Sequence, residues 1–181
     1  MAIVAGDIVF RHSVKTGAAG DSTAGTPAGS LGKYVSTTAL TDATLHNLFD
    51  IVTGDENAAS EAEYRCLFVL NNHATLALQN AVLWISGETA GGAAAAIAID
   101  DIAASAKDAS AAQADEIADE NTAPGAGVGA FSSPTTKGTG LALGSIAAGE
   151  VKAFWIKRTA AATAALDLDG VVLSVAGDTA A

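Results

Sequence analysis

The chain has 181 residues, half of them apolar, which suits one domain with its own core. A net charge of −11 with only 9 Lys and Arg excludes the clustered cations that a phosphate backbone or an anionic membrane surface requires. No direct nucleic acid and no membrane partner is therefore expected, and a single cysteine, Cys66, leaves no intramolecular disulfide and no cysteine-based metal framework.

The apolar share is uneven. Only 5% of residues are aromatic, and Leu, Ile and Val fall in a few short runs. Ala2-Ile3-Val4-Ala5-Gly6-Asp7-Ile8-Val9-Phe10 has no basic leader and no long apolar stretch, so no signal peptide is expected and synthesis in a cytoplasm is expected. Its β-branched residues predict a short strand or a pair of strands. Residues 15–33 hold almost nothing to bury. A strand followed by such a segment predicts an extended N-terminal arm over 1–38 that orders on a partner, with a β-sandwich domain over 39–181. Ile3, Val4, Ile8 and Phe10 are the arm's candidate partner-binding residues.

Leu45, Leu48, Phe49 and Val52 recur at helical spacing, with Thr41 or Asp42 placed to cap, so one short helix is predicted over 41–52. Residues 54–60 read as a polar acidic turn. Glu63-Tyr64-Arg65-Cys66-Leu67-Phe68-Val69-Leu70 is the strongest strand signal: Tyr64, Cys66, Phe68 and Leu70 share one face, while Leu67 and Val69 make the other apolar too. After an Asn-rich turn, residues 76–85 predict a second strand, joined as a hairpin or as a connection between sheets.

Residues 93–99 read as a weak strand. Residues 103–120 are alanine-rich, but Ile117 is their one large apolar residue, which favours short strand plus loop over a stable helix. Val128 and Phe131 begin a short strand ending at Pro134. Residues 150–158 give a third clear strand. Leu166 and Leu168 share one parity and Val171, Leu173 and Val175 the other, so a turn or bulge is expected at Asp169-Gly170. The whole reads as all-β, an antiparallel β-sandwich with one short helix and an extended N-terminal arm.

No pattern carries chemistry. His12, His46 and His73 stand apart, without metal-ligand spacing. Asp100-Asp101 and Gly54-Asp55-Glu56-Asn57 match no calcium loop and read as solvated acidic turns. Cys66 sits inward on a strand as a small hydrophobe, and no nucleophile elbow or phosphate loop appears. Catalytic, cofactor-binding and metal residues are thus expected to be none. Lys157-Arg158 at a strand end is a small basic spot, read either as a solvated strand end or as a contact for an acidic neighbour.

Three segments together carry a resemblance: Leu48-Phe49-Asp50; Glu63-Tyr64-Arg65-Cys66-Leu67-Phe68-Val69-Leu70-Asn71-Asn72; and Ala148-Gly149-Glu150 leading into Phe154-Trp155-Ile156-Lys157-Arg158-Thr159. They resemble a family of small virion-associated proteins from tailed-bacteriophage structural gene clusters. The strand–Asn–turn–strand unit is similar to the Ig-like or jelly-roll-like β-sandwich modules of phage surfaces. The resemblance implies a non-enzymatic virion component, foremost a capsid decoration (cement) protein. It would sit on the capsid surface, bind the major capsid protein and form a homo-oligomer, a dimer or trimer. The alternatives are a tail, baseplate or neck structural protein, or a carbohydrate- or receptor-binding module using Trp84 or Trp155.

Overall fold

The computed structural model describes residues 2–17, 19–164 and 168–179. Among the described residues nine strands form two antiparallel sheets: β1 Ile8–Val14, β2 Tyr34–Ala39, β3 Ala62–Asn71, β4 Leu78–Glu88, β5 Ala94–Ile99, β6 Ser105–Ala106, β7 Leu141–Ile146, β8 Glu150–Thr159 and β9 Val171–Thr179. The larger sheet runs β2-β1-β3-β8-β5, with β6 also paired to β8; the smaller runs β7-β4-β9. The all-β sandwich expected from the strand pattern is the fold.

The two-sided hydrophobicity of β3 sets the layering. Leu67 and Val69 face the small sheet and pack with Leu83 and Ile85 of β4, Ile97 of β5, Leu143 and Ile146 of β7, and Phe154 and Ile156 of β8. Cys66, Phe68 and Leu70 face the other way and pack with Val35, Val151, Ala153, Trp155, Ala114 and Ile117. A strand buried on both faces needs a cover on each. The small sheet supplies one. The other comes from residues 15–33 and the irregular chain that follows β5.

That second cover is pinned by Asp100, which is fully buried. Its carboxylate accepts from Trp155 Nε1 at 3.0 Å, from the Asp115 amide at 2.9 Å and from the Ile102 amide at 3.1 Å. The ammonium of Lys152 donates to the Asp100 carbonyl at 2.6 Å and also to the Ile102 carbonyl. Polar groups rather than a helix therefore hold residues 100–117 down, in line with the short strand and loop expected there. Asp100 is not a solvated turn residue.

The structure differs from the sequence reading over residues 1–38. Instead of an arm, β1 is an interior strand, paired to β3 from Ile8↔Asn71 to His12↔Leu67 and to β2 on its other side. Residues 15–33 are tied down by backbone hydrogen bonds, Gly20 N to Ala109 O, Gln113 N to Lys33 O and Ile117 N to Leu31 O among them. Arg11 and Lys107 both pair with Asp21. The physical reason is that polar contacts join apolar burial in anchoring residues 1–38: Val14, Tyr34 and Val35 are buried, and so are His12, Ser13, Ser30 and Ser36, with Ser30 Oγ 2.9 Å from His12 Nδ1. Gly32 is required at its position, because its φ is +98° and a Cβ would lie 1.8 Å from the Asp115 carbonyl oxygen.

The one short helix lies elsewhere than expected. It is α1, Gly54–Ala59, in the acidic stretch, whereas residues 41–52 are turns in which Ala43 and His46 take positive φ. Thr53 and Glu56 form a reciprocal capping box, and Ser60 closes the helix in the left-handed conformation. In 41–52 only Leu48 is buried; Leu45 and Ile51 are largely exposed, so the helical spacing there served no common face.

β3 and β4 lie in different sheets, so the Asn-rich turn is a connection between sheets. Asn71 makes it rigid, its Nδ2 donating to the carbonyls of Leu76 at 2.8 Å and Ile146 at 2.9 Å. Of the expected bend near Asp169, Leu166 falls outside the described residues, and β9 begins at Val171.

Candidate functional site

The register of β3 on β8 places Glu63 opposite Arg158 and Arg65 opposite Ile156. Glu63 and Arg65 share the parity of Leu67 and Val69, so they continue the inter-sheet face toward one end of the sandwich. The 41–52 loop closes that end, with Leu48 in the core and Phe49 packed against it. Two neighbouring guanidinium groups approach the Phe49 ring, Arg65 at 5.2 Å and Arg158 at 4.7 Å from its centroid.

Each cation has a carboxylate partner. Arg158 Nε donates to Glu63 Oε2 at 2.7 Å, its Nη2 reaches the same oxygen, and Nη1 donates to the Asp50 carbonyl. Arg65, wholly buried, pairs with Glu120 and donates to the Tyr64 carbonyl at 3.2 Å. Asp50 stands within 3.4 Å of Arg158 and 3.9 Å of Arg65. The buried Arg65 Nε and Glu63 Oε1 have no hydrogen-bond partner. Burial pushes the Glu63 carboxyl above its ordinary value, although Arg158 and Arg65 pull the other way.

Oxygens of Asp50, Glu63 and Glu120 lie within 4.8 Å of one another, a spacing a cation could bridge. Here two guanidinium groups already supply the positive charge. The cluster is a clasp: it ties the 41–52 loop, β3, β8 and the chain at Glu120 together through charge and one aromatic ring. All three segments that carry the resemblance meet in it or flank it. Leu48-Phe49-Asp50 gives the plug, Glu63 and Arg65 one strand, and Arg158 the other.

The candidate partner-binding residues have separate fates. Ile3, Ile8 and Phe10 pack against the inter-sheet core, Phe10 edge-on to Phe154 at 5.8 Å. Val4 alone of that set is exposed, at 63%. Arg158 is engaged in the clasp, and Lys157 lies over the Phe131 ring at 5.8 Å. Trp155 is buried, whereas Trp84 is half-buried on the outer face of the small sheet. Sequence reasoning missed the clasp because its members are far apart along the chain. The Glu-x-Arg alternation entering an apolar strand was the available signal, since charges on a covered face must find partners.

No protein-family model matches this chain, and neither a curated protein nor a solved structure matches it significantly. Among the described residues no helix is long and apolar enough to cross a membrane.

Proposed function

We propose that the protein is a non-enzymatic phage virion structural protein, foremost a capsid decoration protein that binds the major capsid protein on the outer shell and stabilises it. The observation that carries this reading is the convergence of the three resembling segments in one clasp. There they act as structural parts: two ion pairs, a plugging aromatic and a two-strand ladder. A sheet covered on both faces, with a polar-pinned cover, is a stiff body suited to bracing a shell. An acidic exterior keeps neighbouring particles apart.

The test is complementation of shell stability. Heads assembled without the protein should release their DNA at a lower temperature than complete heads, and adding the purified protein should restore the difference. Heads of equal stability with and without it would refute the cementing role.

A further inference from the structure

Every sheet has edges, and an unpaired edge is a template for another chain unless something blunts it. Three of the four edges here are blunted. The β2 edge is occupied by the 21–25 segment, with Thr37 N donating to Thr23 O and Asp21 N to Val35 O. The β5 edge is occupied by residues 128–133, with Ile97 and Ser132 exchanging two backbone hydrogen bonds. β7 carries a bulge against β4 beside Gly144, whose φ is +79°.

β9 has none of these devices. Among the described residues nothing pairs with its outer side. It is nine residues long, and the irregularities of its ladder are extra residues on β4, so β9 itself is unbulged. Gly170-Val171-Val172-Leu173-Ser174-Val175-Ala176-Gly177 contains no charge and no proline, in a chain of net charge −11. Val172 on its outward face is 59% exposed.

We propose that the outer edge of β9 is a pairing surface for β9 of a second copy, antiparallel about a two-fold axis near Ser174, joining two small sheets into one. Charge selects this occupant. Two acidic molecules approach closely only where both are uncharged, and β9 meets that condition against itself. With Ser174 on the axis, Asp178 lies opposite the partner's Gly170, and Asp169 opposite the partner's Thr179. The aspartates are thereby placed on opposite faces of the joined sheet. Asp169 is moreover turned to its own chain, accepting from the Ala93 amide at 2.7 Å. The two-fold arrangement satisfies both free edges at once, which a foreign strand does not.

A main-chain interface of this size is weak and depends on concentration. The pairing rests on the edge alone, so its failure leaves the virion reading standing and the two are tested separately. Sedimentation velocity of the full chain from about 1 µM to about 1 mM should show a monomer–dimer equilibrium. Ser174→Lys and Ser174→Glu, each placing like charges across the axis, should weaken it by up to about fivefold while leaving the melting temperature near that of the parent. An equimolar mixture of the two variants should recover the dimer through opposite charges. A parent that stays monomeric throughout the range, or variants that dimerise as the parent does, would overturn the proposal. So would folded variants whose mixture fails to recover.

Discussion

Trp155 shows how one side chain joins two layers. It is fully buried on the β8 face that meets the irregular cover, and its indole N–H holds the Asp100 carboxylate. Trp155→Ala removes the largest buried side chain and leaves that carboxylate short of a donor, so it should cost about 3–5 kcal/mol in urea denaturation. A shift in melting temperature of only a degree or two would contradict this placement. Arg65→Ala removes a fully buried side chain from under Phe49 and frees Glu120, which solvent reaches, so the cost is mainly that of the cavity, about 2–4 kcal/mol; a near-neutral variant would show that the clasp is dispensable. Cys66 is buried and its thiol is pushed well above its ordinary pKa, first by desolvation and then by Asp100. Thiol reagents should therefore label it only at the rate of unfolding, and fast labelling of the folded protein would count against its burial.

His12 sets a pH dependence. Desolvation lowers its pKa below 6.5, so the unfolded chain takes up a proton before the folded one does. Its contribution to stability is present above pH 6.5 and is lost as pH falls through the lowered value. His12→Gln should flatten the melting-temperature profile below pH 6.5, and an unchanged profile would assign the acid sensitivity to other groups.

The strands with paired faces were legible in the sequence: β3, β4 and β8 lie where alternation places them, and the two-sided apolarity of β3 foretold the two covers. What was not legible depended on polar anchoring or on distance along the chain. The burial of His12 and Ser13 and the pairing of Arg11 in β1 could not be foreseen, because buried polar residues require partners that only the fold brings near, such as Ser30 and Asp21. Leu45, Leu48, Phe49 and Val52 have helical spacing, but only Leu48 and Phe49 found a surface. The helix formed instead where Thr53 and Glu56 could cap it. One consequence is testable at the level of elements. Deleting residues 1–38 removes β1 and nearly all of β2, bares the β3 edge and takes Val35 away from Cys66, Phe68 and Leu70. The truncated chain should lack cooperative unfolding, whereas a dispensable arm would leave a folded domain with a normal melting transition.

For the whole molecule, the described residues form a three-layer body in which polar pins and a charged clasp replace the helices that usually cover a two-sided sheet. The acidic surface is in keeping with the proposed decoration role, and the β9 edge, unpaired among the described residues, is the proposed contact between copies. Immunogold labelling of gradient-purified particles with antibody against this protein tests that reading most directly. Gold spread evenly over the heads is the predicted result. Gold confined to tails or to one vertex, or none at all with the protein free in the lysate, would contradict it.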